Sequence, residues 1–302
     1  MAQYFQLVKR NVRVYIRDKG AVFFSLMTML IVLALMLFFL GDMNVEALTE
    51  CFENLPGRDA AADAANAKLF VTLWTCAGII SINAVTITLA VYSTMIKDRA
   101  ERRLYAIYTA PVSRLAISAA YITAAWISSV IICVLTLAIS EIYCIIQGGE
   151  VFSVLQHLQL IGMIAVNSFT YAALMYLAAV LVKTEGAWSG LGTVVGTLVG
   201  FLGGIYIPIG SFAEEIGMVL KFTPVMYGTK VFRTIMTQDV CAALFDAAPE
   251  ALRVEYLKFM GVQLDFMGVE VSGAACVVLM LVCGAVFLAA GALATRSASA
   301  AE

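Results

Sequence analysis

The chain has 302 residues, of which 62% are hydrophobic and only 13% are charged, and its mean hydropathy is +0.92. Soluble domains carry about 25% charged residues, so this composition excludes an ordinary soluble protein. The net charge of −2, without a long basic run, gives no indication of nucleic-acid binding.

Six long apolar stretches dominate the sequence. A transmembrane helix needs roughly 20 mainly apolar residues to cross about 30 Å of hydrocarbon. The stretches that satisfy this requirement are about 21–40, 70–96, 115–140, 155–182, 187–208 and 271–294. The sequence therefore predicts an all-α polytopic membrane protein with six transmembrane helices, forming one transmembrane domain over residues 1–302. No small-residue cleavage site ends the first stretch, which favours a span over a signal peptide.

Lysine and arginine are distributed unequally between the two sides of these spans. With the N-terminus inside, twelve of the 19 Lys and Arg residues are cytoplasmic, and seven lie in the longer outer segments. Short cytoplasmic loops are enriched in Lys and Arg. We therefore predict a multi-pass protein of the cell membrane with both termini in the cytoplasm.

Residues 1–20 have the pattern of an amphipathic helix. The apolar stripe consists of Phe5, Val8, Val12 and Ile16, and the cationic stripe consists of Lys9, Arg13 and Arg17. This pattern predicts a helix that lies in the membrane interface with its cations toward lipid headgroups. The alternative is a positively charged flank of the first span.

The second predicted span contains polar side chains, of which Asn83 and Thr86 share one helical face. Inside a membrane, such groups bond across helices or line a wet cavity. The sequence leaves helix packing and substrate contact as alternatives for these two residues.

The fifth predicted span contains glycines at intervals of four residues: Gly192, Gly196, Gly200 and Gly204. Small residues at this spacing form a smooth ridge along a helix, on which another backbone can pack closely. Thr193 and Thr197 flank the predicted ridge. Its partner could be a helix of the same chain or of a second subunit.

The outer segment 209–270 is too apolar for a free loop, and its apolar pieces are too short to span. We predict re-entrant or interface-lying helices over 211–236 and a solvated outer cap over 239–270. Cys51, Cys144 and Cys241 lie in or near outer segments, so one disulfide is possible, although the sequence does not assign the pairing. At the outer span ends, Glu141 is an interfacial acid, and His157 is either interfacial or proton-linked.

The most charge-dense stretch is 97–114, between the second and third spans. Its charged residues Asp98, Arg99, Glu101, Arg102 and Arg103 are followed by Leu104, Ile107 and Tyr108 at helical spacing. Pro111 ends the pattern because it has no N–H to donate. A cytoplasmic amphipathic helix is therefore predicted over 97–111.

Several catalytic and cofactor motifs are missing from the sequence. It contains no GxxxxGK[ST] phosphate-binding loop, no HExxH motif and no Cys/His group with zinc spacing. The predicted spans hold almost no acids or bases, which argues against catalysis within the membrane. We therefore predict that the chain is not itself an enzyme and holds no metal or other cofactor.

Two motifs, together with the six spans, resemble the type-2 permeases of ATP-binding-cassette (ABC) exporters. The first runs from the charged cluster Asp98–Arg103 to Thr109, Pro111, Val112, Ser113 and Arg114, with Ala110 inserted. The second consists of Pro224, Tyr227 and Arg233 before the last span. The chain departs from the family in having Arg103–Leu104 where Gly-Thr is usual.

This resemblance implies a partnership with two copies of an ABC ATPase subunit, which would hold ATP and Mg²⁺, and with a second permease copy or paralogue in the lipid membrane. Residues 97–111 would be a coupling helix, with the charged side chains at 98–103 docking electrostatically and Leu104, Ile107 and Tyr108 filling an ATPase groove. The implied substrate cavity is lined by Asn83, Thr86, Thr193, Thr197 and Phe201.

The implied activity is ATP-driven export of an amphipathic molecule, such as a drug, a small peptide or a lipid-like compound. The uncharged spans offer no polar track for a sugar chain or a free ion. The alternatives are a secondary transporter that needs no ATPase, and a non-transporting scaffold or sensor subunit. A secondary transporter would show repeats or broken helices around buried charges, and the sequence shows neither.

Overall fold

The computed structural model describes residues 2–35, 41–52, 58–103, 113–246, 248–266 and 268–300. Its helices are α1 Ala2–Arg17, α2 Lys19–Leu35, α3 Gly41–Glu50, α4 Ala60–Ala100, α5 Arg114–Ile146, α6 Val154–Leu181, α7 Glu185–Leu202, α8 Glu214–Lys221, α9 Pro224–Leu244, α10 Glu250–Phe259 and α11 Gly273–Ala300. A 3₁₀ turn spans Ile209–Ser211, and β1 (Asp265–Phe266) pairs antiparallel with β2 (Val269–Glu270). The protein is 83% helical, which confirms the all-α prediction.

The helix α4 is the centre of the bundle. It has 41 residues, and 23 of them are buried, among them Phe70, Trp74 and Tyr92. At 1.5 Å per residue it is about 60 Å long, twice the thickness of a hydrocarbon core. It packs against α5, α6 and α9, while α11 packs mainly against α6. Asp59 caps its N-terminus by accepting from the backbone N–H groups of Ala61 and Ala62.

Four helices are long and apolar enough to cross a membrane: Ala60–Ala100, Arg114–Ile146, Val154–Leu181 and Gly273–Thr295. They coincide with the second, third, fourth and sixth predicted spans, which confirms a membrane protein. The first predicted span falls on α2, of which 17 residues are described, because 36–40 lie outside the described residues. The fifth falls on α7, with 18 residues. The six-span arrangement remains a prediction.

The helix α7 is shorter than the predicted span 187–208, because it ends at Leu202. Gly204 has φ of +59°, in the left-handed region that glycine adopts without a steric penalty, and the chain turns there. The turn is closed by a hydrogen bond from the Ile205 N–H to the Gly200 carbonyl. The prediction of one helix through residue 208 is therefore wrong.

The predicted outer segment is more helical and more buried than expected. After the short helix α8, Pro224 occupies the first turn of α9, where a missing N–H costs no helical hydrogen bond. α9 continues to Leu244, beyond the predicted limit of 236, and packs against α4, α6 and α11. Much of the segment is thus part of the helical core.

All seven cysteines are free. Cys51 is exposed, whereas Cys144 and Cys241 are buried. The structure therefore does not contain the disulfide that the sequence left open.

Candidate functional site

The predicted coupling region begins at the end of α4 that carries Lys97, here called the inner end. Asp98 lies there between α1 and α5 and is only 1% exposed. Its two carboxylate oxygens accept from both terminal nitrogens of Arg10, at 2.6 and 2.8 Å, and the Tyr121 hydroxyl donates to it at 2.6 Å. This cluster of Arg10, Asp98 and Tyr121 joins the middle of α1 to the inner end of α4 and to α5.

The geometry of this cluster makes it a strong contact. A bidentate arginine–carboxylate pair combines charge with two parallel hydrogen bonds. Hydrogen bonding to Asp98 also raises the pKa of the Arg10 guanidinium above its usual value, so Arg10 stays charged. A further hydrogen bond, from the Tyr4 hydroxyl to Thr123 or the reverse at 2.7 Å, fixes α1 along α5.

Arg99 is directed toward α6. Its guanidinium donates to the carbonyl oxygens of Ala179 and Val182, at 3.1 and 2.9 Å, at the C-terminal end of that helix. Basic side chains commonly satisfy the last carbonyl groups of a helix in this way. Asp98 and Arg99 were expected to face an ATPase, but both side chains bond within the chain, because α4 stays helical through Ala100 and turns these two residues toward neighbouring helices.

In the described part of the predicted coupling region, Lys97 and the continuous stretch 100–103 are exposed. Glu101 and Arg103 form an ion pair on the surface, and Arg102, with φ of 58°, marks the end of α4. Leu104, Ile107 and Tyr108 lie outside the described residues, as does most of the predicted helix 97–111. What the structure presents at this position is therefore a short charged surface above the Asp98 cluster.

A cavity of about 490 Å³ lies beside this surface, between α1, α2 and α4. Its lining carries several charges, contributed by Arg10, Asp18, Lys97, Asp98, Glu101 and Arg103. A concave surface that carries both positive and negative charges is more complementary to a protein surface with acidic and basic residues than to an apolar molecule.

The five predicted cavity residues differ in their burial and in their hydrogen-bond partners. Asn83 is fully buried and donates to Thr136 of α5 at 3.1 Å. Thr86 is half-buried and donates to the Asn83 carbonyl. These two residues lie within the bundle, where Asn83 acts in packing between α4 and α5.

The remaining three predicted cavity residues, Thr193, Thr197 and Phe201, are exposed on α7. The Thr193 and Thr197 hydroxyls donate to backbone carbonyls one turn earlier in the helix, so both already have a partner. Trp188 anchors α7 to α4 by a hydrogen bond to Ser93 at 3.2 Å. The rest of α7 is largely exposed, since its buried residues are Trp188, Val199 and Gly200.

The four predicted ridge glycines have different surroundings. A methyl group on Gly192 would lie 3.3 Å from Leu89 of α4, whereas one on Gly196 would meet nothing within 4 Å. Gly200 is covered by the Tyr206 ring, and Gly204 lies beyond the helix. A continuous ridge of four glycines is therefore wrong, because the chain turns after Leu202 and folds Tyr206 onto it.

The outer motif is buried. Arg233 has no exposed surface, donates to the Gly204 and Met260 carbonyls at 2.8 and 3.1 Å, and places its guanidinium carbon 4.0 Å from the centre of the Trp74 ring. The Trp74 indole N–H also donates to Met260, at 2.7 Å. Arg233 thus connects α4 and α9 with the turns that follow α7 and α10. Tyr227 is buried one and a half turns earlier on the same helix.

The sequence did not reveal most of these pairings. Arg10 was one of many N-terminal cations, and its partner is 88 residues away. At the outer ends, His157 contacts Glu141 at 3.0 Å, and Gln156 donates to Asp239 at 2.6 Å. The sequence indicated the His157–Glu141 pair only through the position of both residues at adjoining span ends. Among the described residues, no group of three or more His, Cys, Asp or Glu could hold a metal ion.

Comparison with known proteins gives a match over most of the chain. A family model described as ABC-2 type transporter matches residues 2–237, from α1 to the middle of α9. Comparison with curated proteins gave no match.

Proposed function

Because the chain belongs to the ABC-2 type transporter family, and is therefore a membrane permease subunit of an ABC transporter, we propose that it exports an amphipathic molecule. Permeases of this family normally work with a separate ABC ATPase. In this proposal two ATPase subunits bind the cytoplasmic surface of two permeases in the cell membrane, and their closure changes access to a pathway between the permeases. Both termini are then cytoplasmic.

The observation that carries the proposal is the exposed Glu101–Arg103 surface, fixed to the bundle by the buried Asp98 cluster. The hydrogen bonds of Asp98 join three helices within one turn of this surface. A displacement of Glu101–Arg103 therefore acts on α1, α4 and α5 together. We assign Glu101, Arg102 and Arg103 to ATPase docking, and Asp98 and Arg99 to transmission within the permease.

The pathway is assigned to the exposed face of α7. Here Gly196, Thr193 and Thr197 present a smooth surface, and the threonine hydroxyls are bonded to their own helix. Small residues let a second helix approach closely in a membrane. Two copies related by twofold symmetry would place Phe201 and both α7 faces at one interface. Such a pathway is apolar with few polar groups, which suits an amphipathic drug, small peptide or lipid-like molecule.

The outer segment would close the exit. Arg233 of α9 joins the turn at Gly204, which follows α7, to the turn at Met260, which follows α10. Because the guanidinium holds the carbonyls of the Gly204 turn, movement of α9 would alter the outer end of the pathway.

The experiment compares charge reversals on two exposed ion pairs. Glu101→Arg with Arg103→Glu changes the inner surface, and Glu250→Arg with Arg253→Glu changes a matched pair on α10, at the opposite end of the bundle. An ABC ATPase should co-purify with the wild-type chain and with the α10 variant. Its co-purification, and the stimulation of its ATP hydrolysis in proteoliposomes, should be lost only in the inner variant. Equal association and equal stimulation in both variants would contradict docking at Glu101–Arg103, and transport without any ATPase would favour a secondary transporter.

A further inference from the structure

A polar cluster at the opposite side of the bundle from Glu101–Arg103 joins the outer ends of α5, α6 and α9. His157 of α6 lies with its Nε2 atom 3.0 Å from Oε2 of Glu141 on α5. The other carboxylate oxygen of Glu141 accepts the backbone N–H of Phe152 at 2.9 Å. One carboxylate therefore fixes both the imidazole ring and the connection 147–153 between the two helices.

The imidazole ring of His157 meets an oxygen atom at each of its two nitrogens. Its Nδ1 atom lies 3.1 Å from the Ser153 carbonyl oxygen, one helical turn earlier. Carbonyl and ionised carboxylate oxygens only accept hydrogen bonds, so both ring nitrogens must donate. An imidazole that donates from both nitrogens is positively charged, and this ring forms an ion pair with Glu141. The neutral ring would direct a lone pair toward one of the two oxygens.

The same turn of α6 contacts α9. Ser153 and Gln156 form a capping box, in which the Ser153 N–H donates to Gln156 Oε1 at 2.6 Å and the Ser153 hydroxyl accepts from the Gln156 N–H. The side-chain nitrogen of Gln156, which is buried, donates to Asp239 of α9 at 2.6 Å. The residue whose carbonyl meets the His157 ring thus also positions the side chain that contacts α9.

Among the charges around this cluster, Glu141 is the one that contacts the ring. Asp239 of α9 is bonded to the glutamine of the capping box. Glu150 of the connection is exposed, as is Lys68 of α4, which lies next to the point where α4 meets the connection. The His157 side chain is 33% exposed, so it can exchange protons with water at the outer surface. Ordinary imidazoles titrate at about pH 6.5, within the range that an outer surface meets.

We propose that the His157–Glu141 pair is a pH-sensitive clamp on the outer end of the permease. When His157 is protonated, the ion pair holds the connection and the first turn of α6, and this turn holds α9. As the outside pH rises through the midpoint of the imidazole titration, the ring loses its charge and the clamp on α9 weakens. Since α9 carries Arg233, which holds the turn after α7, release of the clamp favours opening of the outer exit. The effect on export rests on the proposed function, whereas the clamp itself does not.

The first test uses the purified unmodified chain, in which His157 is the only histidine. Isotope-labelled histidine gives nuclear magnetic resonance signals from this ring alone, and they report its charge between about pH 5.5 and about pH 8.5. Hydrogen exchange, corrected for the intrinsic effect of pH, should show the protection of 147–157 decreasing about fivefold over the same titration, the factor that corresponds to about 1 kcal/mol for a partly exposed ion pair. A ring that titrates with no change of exchange in 147–157 would overturn the clamp.

Variants separate the charge of the ring from other effects of pH. His157→Gln is never charged, so the protection of 147–157 should be low at every pH, whereas His157→Arg is always charged and should keep the protection high. Glu141→Gln removes the ionic partner and should abolish the pH dependence. Glu150→Gln, exposed in the same connection, is the matched control and should behave like the unmodified chain. A pH dependence that persists in His157→Gln would assign the effect to another group and contradict the proposal.

The second test measures ATP hydrolysis by the complex with an ABC ATPase, in vesicles whose lumen faces the outer surface. Raising the lumen pH at constant pH on the ATPase side should increase hydrolysis by up to about fivefold, and both His157 variants should show no dependence on lumen pH. If hydrolysis by the unmodified complex ignored lumen pH while exchange in 147–157 changed, the clamp would not regulate the exit and the inference would fail. If no ATPase associated with the chain, the proposed function would fail instead, and hydrogen exchange would still decide whether the clamp exists.

Discussion

The carboxylate of Asp98 accepts hydrogen bonds from side chains on two other helices, and this makes it the residue most sensitive to substitution at the inner end. Asp98→Asn removes the charge and leaves the half-buried Arg10 without its partner. Breaking one member of a buried ion pair costs about 3 kcal/mol or more. We expect a clear decrease in the thermal midpoint of the purified chain, with ATP hydrolysis no longer coupled to transport.

A double-mutant cycle separates the Asp98–Arg10 contact from a general effect of substitution. Arg10→Met combined with Asp98→Asn should lose less stability than the sum of the two single variants, because the second change removes the unpaired charge. Glu101→Gln is the matched control, since its ion pair is exposed and such pairs contribute about 0–1 kcal/mol. Additive effects of the two single variants would show that Arg10 and Asp98 are not coupled.

Arg233 is the subject of a second prediction, because its contacts require a guanidinium group. Arg233→Lys keeps a positive charge but cannot supply the planar fork that reaches Gly204 and Met260 while stacking on Trp74. We expect a loss of roughly 2 kcal/mol, corresponding to charged hydrogen bonds left unmade in a buried site. Hydrogen exchange should accelerate in residues 203–211 and 260–264.

The control for Arg233→Lys is Arg253→Lys on α10, where the side chain is 43% exposed and forms an ion pair with Glu250 at 3.5 Å. Hydrogen exchange should be unchanged there. If Arg233→Lys left exchange at 203–211 unchanged, the guanidinium would not hold the turn after α7.

The contacts of single residues could not be predicted, because one sequence does not show which residues far apart in the chain lie next to each other. Buried and exposed carboxylates look the same within a charged cluster, so Asp98 was expected at the surface. Nothing local indicates that Arg10, rather than Arg13 or Arg17, reaches it across 88 positions. Arg233 was singled out from the motif, but its partner Met260 uses a backbone carbonyl, which no residue pattern can reveal.

At the scale of elements, the close approach of α9 to α4 and α6 depends on Gly228. A methyl group there would lie 2.7 Å from Asn167 Oδ1 and 3.2 Å from both Ser81 Oγ and Met280 Cε. Gly228→Ala should therefore force these helices apart and cost about 1–3 kcal/mol, as overpacking does in well-packed cores. Thermal unfolding of the purified chain measures this loss.

Gly217→Ala in α8 is the control for Gly228→Ala, because a methyl group on Gly217 meets nothing within 4 Å. It should leave stability unchanged or raise it by up to about 1 kcal/mol, since alanine favours helix more than glycine does. Equal effects of the two alanines would mean that α9 is not tightly packed at Gly228.

The elements themselves could largely be predicted from the sequence. A lipid-exposed backbone must satisfy its hydrogen bonds internally, so long apolar runs become helices, as α4, α5, α6 and α11 do. The end of α7 was missed because glycines at Gly200 and Gly204 suit both a packed ridge and a turn. The turn is stabilised by the packing of the Tyr206 ring on Gly200 and by the hydrogen bond from Arg233 to the Gly204 carbonyl.

At the scale of the whole molecule, α4 connects three regions with separate roles. Its inner end carries the Asp98 cluster, its middle packs against α5, α6 and α9, and its surface supports α7 through Trp188. A rigid central helix of this kind can couple a cytoplasmic displacement to the exposed α7 face.

The assembly of two permeases gives the last prediction, because α7 has little cover within one chain. Gly196→Leu places a large side chain where a methyl group meets nothing within 4 Å, so the single chain should fold normally. If α7 packs against a second copy, the same leucine prevents close approach. We expect the variant to run as single chains in size-exclusion chromatography with light scattering, while the wild-type chain forms pairs.

Gly162→Leu is the matched control, since Gly162 is exposed on α6 with equally open surroundings, and it should leave pairs intact. Pairs in both variants would place the interface elsewhere and leave the α7 face to lipid.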